Sequence, residues 1–236
     1  MIELITPSKI FRYIEKLINF INSIFFVLLA VALTFALILS PPDYLQGESV
    51  RIMYVHVPSA WIALASFTSI ALLSILNFIF KLKNLNLISK IIAPIGLLFT
   101  CLAIITGSLW GKPTWGTLWV WDARITSMFV LMIFYLIFII VQKKVKDEDK
   151  ANKISSLVAI IGLINIPIIK YSVDWWNTLH QPKSIDLLSG SNSIHSSMLL
   201  PLILMLLVML LYCALIFLMK YKTEIIRIKK KNIKRI

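Results

Sequence analysis

The sequence predicts an all-α integral membrane protein with six transmembrane helices, a single membrane domain over residues 1–236, and both termini in the cytoplasm. Three observations carry this: the chain is too apolar for a soluble fold, its apolar runs match a bilayer in length, and its basic residues fall on alternate connections. Of 236 residues 59% are hydrophobic, and the mean hydropathy is +0.87, which is more apolar surface than one soluble core hides. Lipid has to solvate the rest. A hydrocarbon layer needs about 20 apolar residues per helix, and six runs come close to that length, at residues 18–39, 57–80, 91–109, 125–141, 154–169 and 198–219. No small-residue cleavage site follows the first run, which is also too long for the core of a signal peptide, so it reads as a retained helix. The fifth covers only 16 residues, so its helix is expected to run past Lys170, whose long side chain reaches the headgroups.

Charge sets the orientation, because Lys and Arg beside membrane helices are retained on the cytoplasmic side. The N-terminus, the connections around 81–90 and 143–153, and the C-terminal tail together hold 19 of the 24 basic residues against six acids. The opposite face holds five bases and five acids, so all of the formal +13 lies inside. The basic tail is expected to touch anionic lipid or a cytoplasmic partner, and nothing in the charge pattern calls for nucleic acid. Cys101 and Cys213 each lie within an apolar run and outside any C-x-x-C pair. That spacing argues against thiol redox chemistry or covalent cofactor attachment, and both are expected to be buried structural residues.

The informative segments are three outer connections. Residues 40–54 open with Pro41-Pro42 and carry Arg51, residues 110–124 are rich in Trp and Gly, and residues 170–197 form the longest stretch and carry His180. All seven tryptophans, Trp61, Trp110, Trp115, Trp119, Trp121, Trp175 and Trp176, fall in these connections or at the adjoining helix ends. An aromatic belt would mark both interfaces, and it suffices for Trp61. Four tryptophans within the 12 residues 110–121 read instead as a surface for a large flat ligand, since indole offers stacking area at small conformational cost.

The three histidines, His56, His180 and His195, lie on the same face. His56 precedes Pro58 at the expected start of the second helix, where Pro is well tolerated, and a neutral imidazole there offers a lone pair to a metal. His180 follows Trp175-Trp176, whereas His195 sits in a Ser-rich stretch and is expected to be exposed. Arg51 and Arg124 flank the tryptophan region, and guanidinium suits carboxylate groups. Asp122 stands beside Arg124 and either pairs with it or caps the loop backbone.

Trp115-Gly116-Thr117-Leu118-Trp119-Val120-Trp121-Asp122 resembles the W-G-x-x-W-x-W-D signature of haem handling proteins of cytochrome c maturation, matching it at every fixed position. Two further stretches, Arg51-Ile52-Met53-Tyr54-Val55-His56-Val57-Pro58 and Trp175-Trp176-Asn177-Thr178-Leu179-His180-Gln181, make the chain similar to the CcmC family within that group. Family members that perform haem ligation share the tryptophan motif on much longer chains.

The resemblance implies haem b held without a covalent bond, with His56 and His180 as axial ligands. It implies that Trp115, Gly116, Trp119, Trp121 and Asp122 form the haem-binding loop, assisted by Arg51 and Arg124. It also implies a periplasmic haem chaperone, CcmE, as receiver, the ATP-binding-cassette subunits CcmA and CcmB, and the small membrane protein CcmD. The expected place is the bacterial inner membrane, with the mitochondrial inner membrane as the alternative, and the expected role is binding and presentation, not enzymatic conversion. Three rivals are a transmembrane b-type cytochrome, a haem transporter subunit and an outer-face zinc site. The first would need histidines deep in the helices, and the second polar groups at mid-depth.

Overall fold

The computed structural model describes residues 7–180 and 194–233. They are helical, with no strand among them beyond an isolated bridge between Asp43 and Gly47. The elements are α1 (Pro7–Thr34, continued by a π-helical turn, Phe35–Leu39), a 3-10 turn (Glu48–Ile52), α2 (Met53–Phe80), α3 (Lys83–Trp115), α4 (Ala123–Lys144), α5 (Glu148–Gly162), α6 (Asn165–Trp175) and α7 (Ser196–Ile233). Six spans are long and apolar enough to cross a bilayer, the shortest being the 22 residues of α4. At about 1.5 Å per residue even that one traverses a hydrocarbon core of about 30 Å. The chain is a multi-pass membrane protein.

The most extensive helix pairing is α2 with α3. Small side chains allow it: Ser59, Ala63 and Ala71 of α2 and Ala93 and Ala103 of α3 are buried. In lipid, where no hydrophobic drive holds helices together, such close backbone approach supplies the dispersion contact instead. Phe67, Leu131, Tyr135 and Phe138 complete this core. The Tyr135 hydroxyl reaches across from α4 and donates to the Ala63 carbonyl at 2.7 Å, so the buried phenol is satisfied. A second cluster joins Ala32 and Ala36 to Tyr54 and to Leu202, Met205 and Val208 of α7. Through it α1 packs chiefly on α7, while Phe20, Phe26 and Val27 face outward, as lipid-facing residues should.

The helices run longer than the apolar runs. The fifth span does pass Lys170, as expected, but it is broken into α5 and α6 by a turn at Leu163 and Ile164. Pro167 has no N–H for the Leu163 carbonyl, which accepts from Ile166 N at 3.1 Å instead. Asn165, buried at the break, donates to Ser127 O of α4 at 2.8 Å and ties the two spans together. Cys101 and Cys213 are only half-buried and form no disulfide.

Candidate functional site

At the tryptophan-bearing end of the bundle, α2 and the segment after α6 bring His56 and His180 together, their ring centres 6.4 Å apart and their planes inclined at 35°. His56 lies deeper than a helix start. The 3-10 turn leads into α2 at Met53, so His56 and Pro58 stand beyond the first turn, and contacts with α3 hold the imidazole. His56 Nδ1 donates to the Ala103 carbonyl at 2.9 Å, with Thr106 Oγ1 3.3 Å away. A carbonyl only accepts, so Nδ1 carries the proton and Nε2 keeps the lone pair, the arrangement common behind metal-binding histidines. Two α3 residues fix the ring. Trp110 meets it edge-on at 5.6 Å, and a β-carbon at Gly107 would lie 2.7 Å from His56 Cε1.

His180 is held from α4 and α3. Arg124 Nη1 lies 3.3 Å from His180 Nδ1, while Nε donates to Ser172 Oγ at 3.2 Å and Nη2 to the Lys170 carbonyl at 3.3 Å. Guanidinium has only donors, so Nδ1 accepts in this contact. Asp122 caps α4, with Oδ1 accepting from Arg124 N at 2.8 Å, and its Oδ2 accepts from Leu179 N at 2.9 Å. Asp122 thus pairs with backbone, that of Arg124 included, as one of the two sequence readings had it. Trp115 Nε1 donates to Leu179 O at 3.2 Å.

The tryptophans do not form one flat surface. Trp110 and Trp115 belong to α3, which runs on through Trp115 into the stretch 110–124 expected to be loop. Trp110 donates to Gln46 Oε1 at 2.8 Å, and the Trp115 ring folds over Gly111, where any β-carbon would collide with it. Gly116 ends α3 at φ +72°, with its N–H on Lys112 O. A side chain there would meet nothing, so the motif glycine is required by backbone conformation. Trp119 packs edge-on against Trp121 at 5.4 Å and Phe129 at 5.9 Å. Trp121 is 76% exposed and borders a shallow cleft with Val120, Asp122, Asn177, Thr178 and Leu179.

Arg51 turns toward α1, donating to Ala36 O at 3.1 Å and pairing with Glu48. His195 is exposed, as expected, and accepts from Ser197 N at the start of α7. The remainder of the stretch 170–197, from 181 to 193, lies outside the described residues. Among the described residues no three His, Cys, Asp or Glu side chains converge as a metal-binding group, and the two imidazoles stand as a pair. Metal–imidazole bonds are about 2 Å long, so two imidazoles on opposite sides of one metal have ring centres about 6 Å apart. The observed 6.4 Å fits that spacing.

Sequence reasoning missed Gly107, the Ala103 carbonyl and the two main-chain groups of Leu179. Gly107 and Gly111 stand four residues apart around Trp110, a small-residue spacing that signals close approach on a helix face.

Six spans with two facing imidazoles and an aromatic cluster at one end define a polytopic membrane protein. The chain belongs to the Heme exporter protein C family, whose model matches residues 1–235. A Heme exporter protein C of Bradyrhizobium diazoefficiens is 38% identical over 227 residues, covering 96% of this chain and 86% of the relative. That of Escherichia coli K12 is 40% identical over 179 residues, 76% of this chain and 73% of the relative. A putative cytochrome c biosynthesis ccmC-like mitochondrial protein of Marchantia polymorpha is 45% identical over 194 residues, 82% and 80% of the two chains.

Proposed function

We propose that this protein binds haem b without covalent attachment at the tryptophan-bearing end of the bundle, on the periplasmic side, and presents it to the chaperone CcmE for cytochrome c maturation. The observation that carries the reading is the 6.4 Å pairing of His56 and His180 beside the tryptophan loop. His56 Nε2 and His180 are the ligand groups, and haem supplies the iron they bind. His56 is held ready by Ala103. Arg124 offers the propionate contact, and its withdrawal from His180 leaves Nδ1 to carry the ring proton and Nε2 to ligate. Trp121 supplies stacking area at the open cleft, where a partner can approach, with Trp119 packed behind it. The residues hold and orient a cargo, so the protein acts as a presentation subunit beside CcmA, CcmB and CcmD, not as an enzyme. A transporter role is the second reading, favoured by the broken fifth span, since discontinuous helices often border substrate paths.

The absorption spectrum of the purified protein titrated with haem tests the first reading: a low-spin, six-coordinate spectrum at one haem per chain is expected. A high-spin spectrum, or none above free haem, would refute it. The sidedness follows from the basic connections. A reporter fused within residues 143–153 is expected to read cytoplasmic and one near Ser189 periplasmic, and equal readings from both would remove the periplasmic placement.

A further inference from the structure

We infer that Trp115 and Asp122, the first and last fixed residues of the tryptophan motif, are positioning residues that clamp the backbone of Leu179 and thereby set His180 opposite His56. The inference rests on the reading of the two histidines as ligands. The last helical bond of α6 is Trp176 N to Ser172 O, and beyond it the chain has no regular structure to aim a side chain. The Leu179 side chain is 59% exposed, so packing does not anchor it. Its main chain is held at both poles instead, the N–H by Asp122 Oδ2 and the carbonyl by Trp115 Nε1. The next residue is His180.

Both clamp groups are themselves fixed by rigid elements. Asp122 spends its other oxygen capping α4, and the Trp115 ring lies over Gly111 at the end of α3. Helices α3 and α4 therefore determine where His180 stands relative to a residue of α2. The residue types follow from the task. A carboxylate has two oxygens to serve Arg124 N and Leu179 N together, whereas Ser can cap but cannot reach both. Indole has a ring to pack and an N–H to donate, and Phe has only the ring. The motif thus divides its work: its ends aim the ligand, while Trp121, backed by Trp119, lies at the open cleft.

The test uses the full chain with Asp122→Ser, which keeps a cap, and Trp115→Phe, which keeps a ring. In haem-free protein, amide exchange over residues 176–180 should accelerate about fivefold or more in each, the scale of one lost hydrogen bond. In haem-loaded protein, part of the low-spin spectrum should convert to a five-coordinate one and return when millimolar imidazole is added. His195→Ala, whose ring bonds to Ser197 at the start of α7, should do neither. Unchanged exchange in both variants overturns the clamp, and so does haem loss that imidazole does not reverse, which would make these residues cargo contacts. His180→Ala run alongside separates the two readings. If it leaves the spectrum intact, ligation by His180 is wrong, while the exchange data still report on the clamp.

Discussion

His56→Ala and His180→Ala should each abolish the six-coordinate haem spectrum and reduce haem delivery to background, whereas His195→Ala leaves both intact. Each imidazole supplies one directional bond, and among the described residues no third His, Cys, Asp or Glu joins the pair in a metal-binding group. The two losses should differ on rescue. His56 is enclosed by Ala103, Gly107 and Trp110, so its deletion leaves a formed slot with a carbonyl acceptor in place. Free imidazole should refill that slot at lower concentration than it replaces His180, which sits on the irregular segment after α6. The measurement is an imidazole titration of both variants followed by absorbance. A full spectrum in His56→Ala without added imidazole would remove His56 from the ligand set.

Gly107→Ala should be nearly as damaging to haem binding while leaving the helix intact. Ala exceeds Gly in helix propensity by about 1 kcal/mol, so α3 gains intrinsic stability. The added β-carbon, however, would lie 2.7 Å from His56 Cε1. The ring has to move, and its bond to Ala103 lengthens or breaks. Loss of an outer-shell support typically costs 10-fold to 100-fold in metal affinity, and a fall of about tenfold or more is expected here. Haem dissociation into a tight acceptor, run beside a thermal melt, checks both halves. Unchanged dissociation at unchanged stability would show that the ring is not seated against Gly107.

How much of this was legible follows from where each signal resides. The six spans were readable because bilayer thickness fixes the length of an apolar run, whatever side chains compose it. Their ends were less so, since Trp110 to Trp115 can continue a helix as well as leave one, and the turn at Leu163 is revealed only by Pro167 and Asn165. His56, His180, Asp122 and the tryptophans were visible as chemistry. Their division of labour was not, because it runs through main-chain groups at Ala103 and Leu179 that every residue carries. Arg51 shows the same limit in reverse: it is close to His56 in sequence, but the 3-10 turn directs its guanidinium to Ala36. Arg124 was read from the sequence as a guanidinium suited to a carboxylate or as a partner of Asp122, and its side chain lies against Ser172, His180 and the Lys170 carbonyl. Arg124→Gln thus alters three contacts at once.

The packing of α1 on α7 bears on how the molecule is made. A membrane protein emerges from its N-terminus, so α1 enters the lipid before α7, with its principal partner still unsynthesised. Helices α2 to α6 can associate in the meantime through the Phe67–Tyr135 core. Only the arrival of α7 buries Ala32 and Ala36 beside Tyr54 and brings Lys222 to Glu15. Helix α1 settles only after α7, and a ribosome that stalls before α7 leaves an apolar helix adrift in the bilayer for quality control to find.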